Sequence, residues 1–210
     1  MREWIIRGTV ESVLIISSIL LALAVDEWRE NEQHRELANQ ALLSFAREMR
    51  QNQARIEDAA PYHRGLRQVI ARLAYDARGT SATDLQSVVE GLEPTVLLNT
   101  AWETAVATGA LNYMGYETVS ALSLTYSLQE RFEEFSRTRL PRLNPLTGSD
   151  AELQVAIRQA LNYVQELSQR EQELIGIYQQ ALHLIADRAP AAAGAFSGEA
   201  GDTGAGGEPP

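Results

Sequence analysis

Apolar residues are distributed along this chain in three different ways. From Val13 to Val25 they fill every position except Ser17 and Ser18, so a helix here is apolar on all sides. From Asp26 to Glu57 they form a stripe: Ala38, Leu42, Phe45, Met49 and Ile56 follow one another at helical steps, and Leu37 and Ala41 widen it. No Pro or Gly falls between Thr9 and Ala60, so the pattern predicts one helix of some fifty residues. It begins in the apolar run and continues as a rigid stalk. The third pattern is the absence of one. From Arg188 to Pro210, 16 of 23 residues are Ala, Gly or Pro, a composition that buries too little apolar area to offset its ordering entropy and predicts a disordered tail over 188–210.

Between stalk and tail the helical period persists. Pro61 is expected to open a second helix, "PYHRGLRQVIARLAYDARG", with Leu66, Val69, Ile70 and Leu73 facing inward and Gly79 as its stop. Thr83 and Gln86 have the spacing of a capping box for a short helix, and Thr100 with Glu103 repeats it before a longer segment. In that segment Trp102, Val106 and Leu111 lead to Gly115, after which Val119, Leu122, Tyr126, Phe132 and Phe135 continue the apolar face. Pro141 and Pro145 interrupt the chain. Ser149 and Glu152 then cap a last helix, whose seam runs Leu153, Ile157, Ala160, Val164, Leu167, Leu174, Tyr178, Ala181, Ile185, broken only by Glu171. No stretch alternates as a strand does. The fold class expected is all-α: an N-terminal transmembrane helix continuing into a long stalk, with an antiparallel bundle of about four main helices over 26–187.

The assignment of residues 1–25 to a cytoplasmic stub and membrane anchor rests on what flanks the apolar run. Val13 to Val25 alone spans only about 20 Å, short of a hydrocarbon core of about 30 Å. That length suits a cleaved signal, and Ala22-Leu23-Ala24 has the small-x-small pattern of a cleavage site. Trp4 and Trp28, however, lie 24 positions apart, about 36 Å along a helix, which sets one indole at each headgroup level. Signal peptides are also poor in acids near the start, where this chain has Glu3 and Glu11. An uncleaved anchor is the expectation. Arg2 and Arg7 precede the span and a single Arg follows in "DEWRENEQ", so the positive-inside rule sets the N-terminus in the cytoplasm. Glu11 is the one carboxylate within the span. Arg7, one turn earlier, can pair with it, or Glu11 with Gly8 and Ser12 can form a polar contact with another transmembrane helix.

Composition removes many functions. The chain carries 18 cations against 28 acids, a formal charge of −10, so nucleic acid is not an expected partner. Every cation is Arg; without Lys there is no phosphate-binding loop of the Gly-Lys-Ser/Thr kind and no Schiff-base chemistry. Zero Cys removes thiolate nucleophiles and Cys-ligated zinc. His34, His63 and His183 occur in neither His-Glu-x-x-His nor Glu-x-x-His spacing and read as solvated surface residues. Glu133 and Glu134 are adjacent on a helix and point apart, a poor acid/base couple. The expectation is a protein that is not an enzyme, with no catalytic residue, cofactor or metal. Arg50, Arg55, Arg64, Arg67, Arg72 and Arg78 form the one basic run and read as a solvated face paired with Glu57, Asp58 and Asp76. Trp102, Tyr126, Phe132 and Phe135 read as core rather than as a ligand cage.

Several of these residues together resemble a group of bacterial single-span, membrane-anchored helical proteins. They are Glu11, Ile19-Leu20-Leu21-Ala22-Leu23, Asp26-Glu27-Trp28, and Trp102 followed by Gly109-Ala110-Leu111. The likeness covers residues 8–57 and, more loosely, 101–135, and it departs at Ser18, where that group has Gly. It implies an inner-membrane anchor and a helical extracytoplasmic body, and it brings no activity or catalytic residue. The function expected is therefore a partner-binding or scaffold module held to the bilayer. Its partners would be the membrane itself and a membrane or periplasmic protein, or a second copy of the chain. The alternative is a periplasmic small-molecule sensor bundle that signals through a partner membrane protein.

Overall fold

The computed structural model describes the backbone of residues 2–75, 81–90, 92, 94–138 and 149–188, and their side chains apart from those of 2–13, 82, 90 and 138. Among the described residues the chain is all-helical: α1 (Arg2–Tyr75), α2 (Ala82–Glu90), α3 (Thr100–Thr108), α4 (Tyr116–Thr138) and α5 (Asp150–Arg188), with a 3-10 turn at Ala110–Tyr113. Gly79, Pro141, Pro145 and the tail beyond Arg188, on which stops, breaks and disorder were expected, lie outside the described residues.

The stalk and the expected second helix are one element. Helix α1 runs 74 residues with Pro61 inside it. Proline removes one helical hydrogen bond, yet Pro61 stands on the exposed side next to Glu57 and Asp58, where water can satisfy the carbonyl it leaves open. On the inner side Ile56, Ala60, His63, Leu66 and Ile70 are buried without interruption, and this packing holds the helix through the proline. Val69, expected inside, is 41% exposed, and Leu73 packs only at the edge of the core.

Three long helices make the bundle, with the two short ones packed around them. Helix α5 lies antiparallel to α1, since His63 meets Glu171 while Tyr178 reaches back toward Asn52 through Gln129. It is also antiparallel to α4, whose Phe135 stacks on Tyr163 and whose Glu117 pairs with Arg188 at the other end. The α5 seam is buried at every position expected of it, and Glu171, at its interruption, is buried as well. Leu85, Val89 and Leu92 bring α2 and the residues after it onto the same core.

Local signals were displaced by a few residues. Ser81 and Asp84, not Thr83 and Gln86, cap α2: the Ser81 hydroxyl accepts from the Asp84 N–H (3.2 Å) and the Asp84 carboxylate accepts from the Ser81 N–H (2.9 Å). The Ser81 N–H, and after it the Ser81 hydroxyl, which also donates to the Asp84 carboxylate (2.8 Å), hold the Asp84 carboxyl below its ordinary range. The segment whose apolar face was expected to continue through Gly115 is instead broken from Gly109, which ends α3 in the left-handed conformation (φ 71°) with its N–H on the Ala105 and Val106 carbonyls. Ser149 does cap α5, accepting from the Glu152 N–H at 3.3 Å.

At its N-terminal side α1 stands apart from the bundle. From Leu14 to Gln33 every side chain is exposed, and the first ring contact with the rest of the chain is His34 stacked on Tyr113 (3.8 Å, 12°). Among the described residues no helix is long and apolar enough to cross a membrane. The side chains of Trp4, Arg7 and Glu11 lie outside the described residues, and Trp28 is 67% exposed.

Candidate functional site

The bundle interior contains two polar clusters that the chain pattern did not mark. The larger one joins α1 to α4 around residues 94–99, which have no regular secondary structure and lead into α3. Asn52, fully buried on α1, pairs with both backbone groups of one residue: its Oδ1 accepts from the Leu98 N–H (2.8 Å) and its Nδ2 donates to the Leu98 carbonyl (2.7 Å). From α4, Gln129 donates to the same carbonyl (2.9 Å), while its Oε1 accepts from Asn52 (3.2 Å) and from the Tyr178 hydroxyl on α5 (2.7 Å). A segment without secondary structure is thus tied through one residue to α1 and α4 directly and to α5 through Gln129, which satisfies backbone groups that would otherwise be left unpaired.

One turn earlier on α1, Glu48 completes the clamp. Its Oε2 accepts from the Ala101 N–H (2.8 Å) in the first turn of α3 and its Oε1 from the Tyr126 hydroxyl (2.7 Å). The local cap of α3 is missing: Asn99 makes no side-chain cap bond and instead donates to Glu103 (2.9 Å). Glu48 supplies the anion at the positive end of α3 from another helix. Burial, followed by the hydrogen bond and charge of Glu48, pushes the Tyr126 phenol up; burial pushes Tyr178 up against the lowering effect of Asn52.

The smaller cluster is a pair. Nδ1 of His63 and Oε1 of Glu171 share a hydrogen bond of 2.5 Å, with both side chains almost wholly buried between α1 and α5. This corrects the reading of His63 as a solvated residue: it occupies a stripe position between Ala60 and Leu66, and Glu171 is the residue that interrupts the opposing seam. Two breaks in two facing apolar stripes were the signal. Of the other histidines, His34 is half-buried against Tyr113 and His183 is exposed. Tyr163, pushed up to about 12 by burial and by the Glu171 charge, donates to the Ser136 carbonyl (3.3 Å).

Two concave surfaces flank the clamp. A groove of about 360 Å³ between α1 and α3 has Leu37, Ala41, Ala101 and Ala105 among its walls, with Glu48 in its lining. A cavity of about 320 Å³ between α3 and α4 is walled by Trp102 and Tyr126. Tyr126, Phe132 and Phe135 are buried as expected of core aromatics, whereas Trp102 is half-buried and opens onto that cavity. Among the described residues no group of three or more His, Asp or Glu is placed to hold a metal ion. Of the residues the sequence singled out, Trp28 is exposed on the first helix, away from this interior, and the side chains of Trp4, Arg7 and Glu11 lie outside the described residues. Comparison with protein-family models, with curated proteins and with solved structures finds no match.

Proposed function

We propose that this chain is a single-pass inner-membrane protein whose helical domain stands outside the cytoplasm and holds a protein partner at a fixed distance from the bilayer. One observation carries the reading. The same unbroken helix that enters the bundle at Leu37 exposes Leu14, Ile15, Ile16, Ile19, Leu20, Leu21, Leu23 and Val25 on all its sides, each 49–68% accessible. So continuous an apolar surface needs a non-aqueous environment, and a lipid bilayer provides one around the whole circumference. The apolar run begins before Leu14, with Val10 and Val13, and Arg2 and Arg7 set the N-terminus in the cytoplasm. Trp28 is then placed at the outer headgroup level, and Arg7 offsets Glu11 on the inner side.

The partner's place would be the α1–α3 groove. Small side chains on both walls let another helix approach closely, and α1 fixes the height of the groove above Val25: Leu37 is twelve residues on, about 18 Å. The resemblance to bacterial single-span anchored proteins agrees with this arrangement. A second reading, a small-molecule sensor, is favoured by the cavity beside Trp102.

The anchor is tested in native membranes. The mature protein should resist alkaline extraction and retain its N-terminus, and a reporter active only outside the cytoplasm should work when fused after Asp187. A mature N-terminus at Val25, or activity of a cytoplasm-only reporter at Asp187, refutes the reading.

A further inference from the structure

The cavity between α3 and α4 has an aromatic wall and an acidic mouth. Trp102 and Tyr126 form the wall, their ring centroids 5.4 Å apart and tilted by 31°, with Phe45 behind them at 6.3 and 5.8 Å. Phe45 and Tyr126 are locked in the core, so Trp102 is held from behind while one side of it lines the cavity. Around the mouth stand Glu103 from α3 and Glu130 and Glu133 from α4. Among the described residues that line the cavity the one cation is Arg137, and it is already paired with Glu133 at 3.4 Å. Glu130 is exposed and makes no ion pair among the described residues.

A further negative charge lies behind the wall. The Glu48 carboxylate is buried, and the groups that hold it are the Tyr126 hydroxyl and the Ala101 N–H, both formally neutral. A phenol that donates to a carboxylate has a more electron-rich ring, which strengthens attraction of a cation to its face. The same field is felt deeper in the bundle: beside the effect of burial, the Glu133 and Glu48 charges raise the Tyr178 phenol.

Anions are repelled by such a cavity. A small hard metal ion would need several carboxylate oxygens converging on one point, and no such group occurs among the described residues. A weakly hydrated organic cation needs only aromatic faces and nearby negative charge, and about 320 Å³ is at the lower end of volumes that take small ligands. We propose that this cavity binds a small organic ammonium ion, its carbon groups against Trp102 and Tyr126 and its charge among Glu103, Glu130 and Glu133. This deepens the sensor reading of the cavity and is independent of the anchor; membrane extraction tests the one and ligand titration the other.

The test uses the full-length protein in neutral detergent with 5-fluorotryptophan at its three Trp positions, Trp4, Trp28 and Trp102. Fluorine NMR reads each separately, and Trp102→Phe assigns the relevant resonance by its loss. Choline chloride should shift the Trp102 signal saturably, with half-saturation at about millimolar concentration or below. Matched sodium chloride and the uncharged isostere 3,3-dimethyl-1-butanol should leave it unmoved. In the double variant Glu103→Gln/Glu130→Gln, whose changes lie on exposed positions and keep the side-chain length, half-saturation should rise by about tenfold. No saturable shift with choline, an equal response to the uncharged isostere, or an unchanged half-saturation in the double variant would each overturn the proposal.

Discussion

The first helix contains two apolar surfaces made of the same residue types, and they meet opposite fates. Leu14 to Val25 is apolar all round, and every one of its side chains is exposed; Leu37 to Ile70 is apolar along one stripe, and the stripe is buried. The difference is geometric. A stripe can be covered from one side by α5, α3 and α2, whereas a full cylinder can be covered only by something that surrounds it. Between them "DEWRENEQ" has no apolar stripe at all, so the two surfaces are joined by a rod whose side chains are all exposed among the described residues.

The sharpest way to break this comparison is one substitution on each side of the rod. Leu20→Arg sets a charge in the middle of the exposed run, at a cost of about 3 kcal/mol in a bilayer, and should move most of the protein out of the alkali-resistant membrane fraction. Its bundle should melt at the wild-type temperature. Phe45→Ala, at a fully buried stripe position, should lower bundle stability by about 3–5 kcal/mol in denaturant unfolding and leave membrane retention intact. If Leu20→Arg lowers the melting temperature as far as Phe45→Ala does, the two surfaces are one cooperative unit and the distinction fails.

The stripe was legible in the chain because burial there follows the helical period. Phe45, Met49, Ile56, Ile157, Val164 and Tyr178 are buried where the spacing sets them. Polar residues on that same period were not. Glu48, Asn52 and His63 lie on the inner face of α1, but a polar side chain in a stripe has meaning only through its partner, and the partners are remote: Leu98, Ala101 and Glu171. Periodicity carries no information about a contact 108 positions away. The same limit explains the helix ends. Of the Ser/Thr residues read as caps, each with an acid or amide three residues on, Ser149 caps its helix while Thr83 and Thr100 do not: Ser81 with Asp84 caps α2, and α3 takes its anion from Glu48. The apolar face read as running from Trp102 to Phe135 is interrupted between Gly109 and Gly115, where the His34–Tyr113 stack and the packing of Leu111 and Met114 seat the 3-10 turn on the core.

A second prediction separates the stripe's apolar packing from its polar clamp. Asn52→Ala leaves the half-buried Leu98 N–H without its acceptor and removes one donor from the carbonyl, which should cost about 1–2 kcal/mol. The loss should be local in character: amide exchange at Leu98 and Ala101 should quicken far more than at Ile157 or Val164 in the α5 seam. Glu48→Gln, which keeps one acceptor oxygen, should cost about 1 kcal/mol and quicken Ala101 alone. Uniform quickening across the bundle after Asn52→Ala would show that residues 94–99 fold and unfold with the core rather than being clamped onto it.

The smallest effect is also the one that this composition isolates best. The chain has seven Tyr, no Lys and no Cys, so between about pH 9 and pH 12 tyrosine is the only side chain that titrates. Burial pushes Tyr126, Tyr163 and Tyr178 upward, so the folded state keeps their protons where the unfolded state has begun to lose them. Below the ordinary value of 10.0 both states are protonated and the contribution is fully present; above it the unfolded state binds fewer protons, and unfolding free energy falls with rising pH. For Tyr163 that window closes at about 12. Stability measured by denaturant should therefore be level from pH 8 to about pH 9.5 and decline beyond. Tyr163→Phe gives up one 3.3 Å bond to the Ser136 carbonyl, a change of about 1 kcal/mol or less at neutral pH. In return it removes one of the three buried phenols, and the decline between pH 10 and pH 11.5 should become shallower by a measurable fraction. Stability that rises across this range, or a slope that Tyr163→Phe leaves unchanged, would mean that the phenol is hydrated and that the stacked Phe135–Tyr163 pair does not keep water from it.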